Sequence, residues 1–230
     1  MNDLPTLEVL RLGRIPYAQA HALQQQLVEQ RLDGSRTDTL VLCEHDPVIT
    51  VGRGATPRQP MASSIEVVAV ERGGDATFHG PGQIVAYPVF ELPEGKRDLH
   101  RFLRDLEQVV VDVLAEVEVA GARKAGATGV WVGSKKVCSI GVAVRRWVTW
   151  HGLALNLQAD LASFHGFRPC GLDAEVMANV ADFTELPPAR LLFEVLLVKH
   201  FCAVFGLRLP DPPAERTPEN LTWLPIFPGQ

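Results

Sequence analysis

"GVWVGSKKVCSIGVAVRRWVTWHGLALNL", residues 129–157, sets the architecture. Its β-branched and aromatic residues fall into three runs, "GVWVG", "KKVCSIGVAV" and "WVTWHGLALNL", parted by short polar connections at Gly133-Ser134 and Arg145-Arg146. Parallel neighbours need a crossover of a dozen or more residues, so connections this short predict antiparallel hairpins. Upstream, "DLHRFLRDLEQVVVDVLAEV" (98–117) returns apolar residues at helical spacing behind Asp98, a good N-cap, and "YAQAHALQQQLVEQRLDG" (17–34) reads as a helix stopping at Gly34. "DTLVLCEHDPVITVG" (38–52) predicts two strands broken at Asp46-Pro47, and "IEVVAVE" (65–71) and "IVAYPVF" (84–90) two more. Strands in runs with a few helices favour an α+β fold, a mixed, mostly antiparallel sheet flanked by helices, over regular α/β alternation.

The chain has 230 residues, 47% hydrophobic and 21% charged, and no low-complexity linker or internal repeat, which predicts one domain over 1–230 with its motifs within about 40–182. No basic segment, apolar run and cleavage site open the chain, and "ARLLFEVLLVKHFCAVFG" (189–206) is too short and charged to span a bilayer. A cytoplasmic protein without membrane association is expected, with 189–206 a buried amphipathic helix and the proline-rich tail to 230 wrapping the surface. The cysteines at 43, 138, 170 and 202 form no CxxC pair, and "CEH" (43–45) lacks a recognised ligand spacing, so neither disulfides nor a metal is expected. A net charge of −5 argues against nucleic-acid binding. Between Val119 and Ala159, however, Arg123, Lys124, Lys135, Lys136, Arg145 and Arg146 stand with no acidic residue, either as solvated hairpin ends or as a face for an acidic partner.

Three places could carry chemistry. The loop "RGGDATFHGPGQ" (72–83) matches no standard nucleotide motif. Its glycines let backbone N–H groups approach a ligand or oxyanion, with Arg72 and His79 as polar contacts, or serve tight geometry alone. In "FRPCGLDAEV" (167–176), Cys170 sits between Pro169 and Gly171, in a turn shaped to present a thiol. Period-two alternation puts Lys136 on one face with Cys138, a rival thiol. A nearby ammonium stabilises a thiolate, the nucleophilic form. Gly152, after His151, marks a close approach of ligand or backbone, while His151 reads as structural and His21, His45, His100, His165 and His200 suggest no role.

Taken in order, "RGGDATFHGPGQIVAYPV", "KKVCSIGV", "HGLALN" and "PCGL" closely resemble the lipoyl(octanoyl) transferases, from about Leu40 to Asp182. The resemblance implies the α+β fold shared with biotin and lipoate protein ligase catalytic domains. It implies transfer of an octanoyl group from octanoyl-acyl carrier protein to a lysine of lipoyl domains, those of 2-oxoacid dehydrogenase complexes and the glycine cleavage H protein, without cofactor or ATP. Cys170 then forms the acyl-thioester and Lys136 acts on it. The acyl group is bound by Arg72, Gly73, Gly74, Asp75, Ala76, Thr77, Phe78 and His79, by Ser139, Ile140 and Gly141, and by Gly152, Leu153 and Ala154. Cys138-Ser139 stands where the family commonly has alanines. The rival readings are an ATP-dependent lipoate or biotin ligase, which needs no cysteine nucleophile, and a noncatalytic acyl-carrier binding module. An amidotransferase between two proteins differs in donor alone, and a papain-like hydrolase lacks its local signature here.

Overall fold

The computed structural model describes residues 4–55, 65–164, 174–185 and 188–210. Its main sheet has seven strands in the order β1 (Leu7–Ile15), β2 (Asp38–His45), β6 (Gln83–Val89), β10 (Val148–Asn156), β9 (Lys135–Arg145), β8 (Ala127–Val132) and β7 (Gly121–Lys124). Only β1 and β2 run parallel; the other neighbours are antiparallel. A smaller sheet sets β3 (Val48–Val51) between β4 (Glu66–Ala69), parallel to it, and β5 (Ala76–His79), antiparallel. The sheet is thus mixed and mostly antiparallel, as the hairpin spacing predicts.

Strand alternation divides the apolar residues between two layers. Leu40 and Leu42 of β2, Ile84 and Ala86 of β6, and Leu153 and Leu155 of β10 face helices α2 (Leu99–Ala115) and α3 (Arg190–Phe205). Val41 and Cys43, with Val85 and Tyr87, face helix α1 (Tyr17–Leu32) on the other side. The predicted N-cap of α2 forms, Asp98 accepting the Arg101 N–H at 3.1 Å. The last helix departs from a simple amphipathic reading: Phe193, Leu197 and Phe201 are buried, yet Leu191 and Val195 are 68% and 50% exposed. No helix among the described residues is long and apolar enough to cross a membrane. The proline-rich tail lies, beyond Pro210, outside the described residues.

Three local features differ from expectation. The loop 72–83 is not loop throughout, since Ala76–His79 pairs with β3 as strand β5. The β9–β10 turn falls one residue later than predicted, on Arg146 and Trp147, both at positive φ (47° and 68°), which matches the twist of a two-residue hairpin. Strands β1 and β7 carry no clear pattern and escape the reading; β7 is exposed over Ala122–Lys124, so no apolar alternation marks it. Gly152 marks an approach of backbone: a Cβ there would lie 2.1 Å from the Ala86 carbonyl oxygen and 2.7 Å from the Pro88 ring.

Gly152→Ala is therefore expected to push β10 from β6 and to destabilise the chain by about 1–3 kcal/mol. A urea midpoint equal to that of the parent chain would contradict this packing.

Candidate active site

The glycines of residues 72–75 wedge this segment between the two sheets. Gly73 donates its N–H to the Val142 carbonyl on β9 (2.9 Å), and Gly54 donates to the Gly74 carbonyl (2.9 Å) just beyond β3. A Cβ on Gly52 would meet the Gly74 oxygen at 2.4 Å, and one on Gly141 the Gly73 oxygen at 3.0 Å. Backbone here packs on backbone, which only glycine permits. Arg72, 7% exposed, fixes the wedge: its guanidinium donates to the Thr50 carbonyl (2.8 Å) and hydroxyl (2.9 Å) and to the Asp75 carbonyl (2.8 Å). Tight geometry, one of the two readings of the loop, is what these contacts show.

A narrow cleft of about 40 Å³, a slot rather than a chamber, opens beside the wedge. It gathers Arg72, Gly74, Thr77 and His79 from the glycine segment and β5, Ser139, Ile140 and Gly141 from β9, and Gly152, Leu153 and Ala154 from β10. Three segments remote in sequence therefore converge as the resemblance implies. Gly73, Asp75, Ala76 and Phe78 are not on it: Ala76 and Phe78 alternate to the far side of β5, into a core with Ile49 and Phe164. Asp75 accepts the Ala76 N–H through its own carboxylate (2.7 Å), and Gly73 lines a neighbouring groove. Sequence reasoning missed Tyr17, Thr50 and Tyr87 and took His151 for structural, yet all four line the cleft.

Lys136 opens β9 and is 2% exposed. Its Nζ lies 5.8 Å from the Trp131 ring centre. A register shift between Val130 and Trp131 pairs Cys138 with Val130 but Lys136 with Trp131, and such a bulge re-aims the side chains around it. Opposite it, Gly129 adopts φ +129°, and a Cβ there would sit 2.6 Å from Lys136 Cε and 3.3 Å from Nζ. Cys170 lies outside the described residues, as do the whole 165–173 stretch and His165. The chain that follows is tied to this lysine: Ala178 donates its N–H to the Lys136 carbonyl (3.0 Å), and Met177 bridges to Lys136. The rival thiol is shut away from solvent. Cys138 is fully buried and burial pushes its thiol up to about 12, against the pull of Lys136, so it stays protonated. Burial likewise raises Cys43 and Cys202.

Burial lowers the pKa of His79 and His151 on the cleft and of His45 behind it. His45 Nδ1–H donates to the Ile15 carbonyl (2.9 Å), leaving Nε2 to accept from the Tyr87 hydroxyl (2.7 Å), and burial lowers its pKa. Burial, and after it the neighbouring His45 and the Arg72 guanidinium, hold His79 well below 6.5. His151 sits in mid-strand at φ +55°, its N–H taken by the Gln24 side chain (2.8 Å); burial, then His21, lowers its pKa to about 4. Tyr17 Oη, His79 Nδ1, Ser139 Oγ and His151 Nε2 are buried without hydrogen-bond partners among the described residues. All four residues line the same cleft.

The catalytic-domain model of lipoyl protein ligases A and B matches residues 16–202. An octanoyltransferase of Syntrophotalea carbinolica is 43% identical over 204 residues, spanning 89% of this chain and 97% of its own. One from Geobacter metallireducens is 49% identical over 163 residues, 71% of this chain and 76% of its own. In fold, the lipoate protein ligase of Thermoplasma acidophilum superposes with a TM-score of 0.69 at 16% identity, covering 95% of this chain and 90% of its own. The biotin protein ligase of Aquifex aeolicus does so at 0.52 and 13%, covering 88% and 69%.

Because the native state refuses a proton at His79 that the unfolded chain accepts, stability is full above about pH 6.5 and falls as pH drops below it. Urea midpoints between about pH 7.5 and pH 5 are expected to decline, and His79→Gln to flatten part of that decline. An identical slope in the variant would mean His79 is not held neutral.

Proposed function

Because this chain belongs to the lipoyl protein ligase A/B catalytic domain family, and its relatives at 41–49% identity are octanoyltransferases, we propose a two-step octanoyl transfer through Cys170. The chain is an acyltransferase of protein lipoylation acting on lipoyl-domain proteins. The observation that carries the chemistry is the burial of Lys136 at the start of β9, the strand that further along lines the cleft with Ser139, Ile140 and Gly141, with residues 177–178 hydrogen-bonded and bridged to that lysine.

In the first step the Cys170 thiolate, favoured by the Lys136 ammonium, attacks the carbonyl of octanoyl-acyl carrier protein. Backbone amides of the glycine segments stabilise the tetrahedral oxyanion, the bond to the pantetheine sulfur breaks, and that thiol leaves with a proton. In the second, the lysine amine of a lipoyl domain attacks the enzyme thioester, the bond to Cys170 breaks, and the amide forms as the amine loses its proton. Exchange between thioesters is nearly neutral and amide formation from one is downhill, so no ATP is consumed. The acceptors are lipoyl domains of 2-oxoacid dehydrogenase complexes and the glycine cleavage H protein. The octanoyl chain lies along Ile140, Leu153 and Ala154.

Acyl carrier proteins and lipoyl domains are typically acidic, and the basic stretch offers them a docking face. Arg123 is committed to buried Glu107 (3.3 Å) and Gln108 (2.7 Å), and Lys124 lies over Trp131 (4.3 Å). Arg145, in an exposed pair with Glu29, and Arg146 at the hairpin tip carry the steering.

Mixing the enzyme with octanoyl-acyl carrier protein is expected to give an octanoyl adduct by intact-mass spectrometry. It should persist in Cys138→Ser, vanish in Cys170→Ser, and pass to an apo lipoyl domain without ATP. An ATP requirement with tolerance of Cys170→Ser would make the chain a ligase. Lys136→Met, which keeps the length of the side chain without its charge, is expected to cut kcat/KM by roughly tenfold or more while far-UV circular dichroism stays that of the parent; parent-like kinetics would detach Lys136 from the reaction. Reversing Arg145 and Arg146 to Glu is expected to abolish the salt dependence of the apparent affinity for the carrier, and an unchanged salt dependence would remove the docking face.

A further inference from the structure

Helix α1 turns Tyr17, His21 and Gln24, spaced at helical period, toward the outer end of the cleft. Glu71, between β4 and the glycine segment, reaches the same point, as does His151 from β10. His21 Nε2 lies 3.0 Å and His151 Nε2 3.5 Å from Glu71 Oε2, and the three ligand atoms are all within 4.8 Å of one another. We propose that His21, Glu71 and His151 form a binding site for a borderline divalent transition metal, Zn²⁺ by preference, with a fourth coordination position open.

The donor chemistry selects the class of ion. Two imidazoles and one carboxylate suit zinc, whereas calcium and magnesium take oxygen ligands. Ligands at about 2.0–2.1 Å from a tetrahedral zinc stand roughly 3.3 Å apart, close to the 3.0 and 3.5 Å that part the two imidazole nitrogens from Glu71 Oε2. One buried group points to a ligand here. His151 Nε2, in a residue 3% exposed, makes no close hydrogen bond among the described residues, its nearest acidic oxygen being Glu71 Oε2 at 3.5 Å, although buried polar nitrogens are almost always satisfied. His21 and Glu71 remain partly exposed, at 22% and 37%, which gives an ion a path in from solvent. A bound ion would cross-link α1, the glycine segment and β10, the three parts that meet at the cleft.

The test is a Co²⁺ titration of the full-length chain, read by visible absorption, with Zn²⁺ as competitor. One equivalent of Co²⁺ with the d–d spectrum of a four-coordinate site, displaced by Zn²⁺, is expected. His21→Ala and Glu71→Gln should each weaken binding by about tenfold or more while far-UV circular dichroism stays that of the parent. Zn²⁺ should also raise Tm saturably in the parent and not in His21→Ala. No saturable spectrum, or affinity kept in either variant, overturns the site and leaves the cluster a His21–Glu71 ion pair. The outcome does not depend on octanoyl transfer.

Discussion

Backbone meeting backbone at residues 72–75 is the constraint on which the rest of the site depends. The small sheet and the large one are joined where Gly73 and Gly74 slot between Gly52–Gly54 and Gly141–Val142, at separations that exclude a methyl group on Gly52 and leave one on Gly54 or Gly141 tight. Arg72 locks that join by giving its guanidinium to Thr50 and Asp75 oxygens. Because β5 leaves this join directly, its alternation is set there: Thr77 and His79 go to the cleft, Ala76 and Phe78 to the core.

The electrostatics of the cleft follow from its burial. Desolvation, with Arg72 adding to it, lowers the pKa of both His79 and His151 on the slot, so the charge that lines it is that of Arg72. An apolar acyl chain tolerates such walls better than a cluster of imidazolium groups. Lys136 is placed apart from them, at the start of β9 next to Trp131 and Gly129.

Much of this was legible in the sequence where a short-range rule governed it. Hairpin spacing fixed the β8–β9–β10 meander, and Asp98 with its apolar period marked α2. The resemblance of the glycine segment, "CSIG" and "GLA" picked out residues that converge on the cleft, but also Gly73, Asp75, Ala76 and Phe78, which do not line it. What escaped depends on tertiary context. Tyr17, Thr50 and Tyr87 come from separate elements with no motif around them, and their roles arise only when α1, β3 and β6 pack together. His21 and Glu71 are 50 residues apart and meet only in the fold. A glycine-rich stretch reads as loop, yet β5 forms there because β3 offers a free edge to pair with. The bulge beside Lys136 breaks the strict alternation on which the grouping of Lys136 with Cys138 relied.

The strand order has a bearing on how the chain is made. At the centre of the sheet, β6 pairs with β10, Gln83 opposite Asn156, and every residue of β6 is buried. During synthesis β6 emerges long before its partner and can meet only β2 until residues 148–156 leave the ribosome. For that interval one side of β6 is a bare, apolar hydrogen-bonding edge. Loop-closure entropy must be met before this distant pairing is rewarded, so the sheet closes late and slowly. The nascent intermediate, rather than the finished protein, is the species most exposed to self-association and most in need of a chaperone.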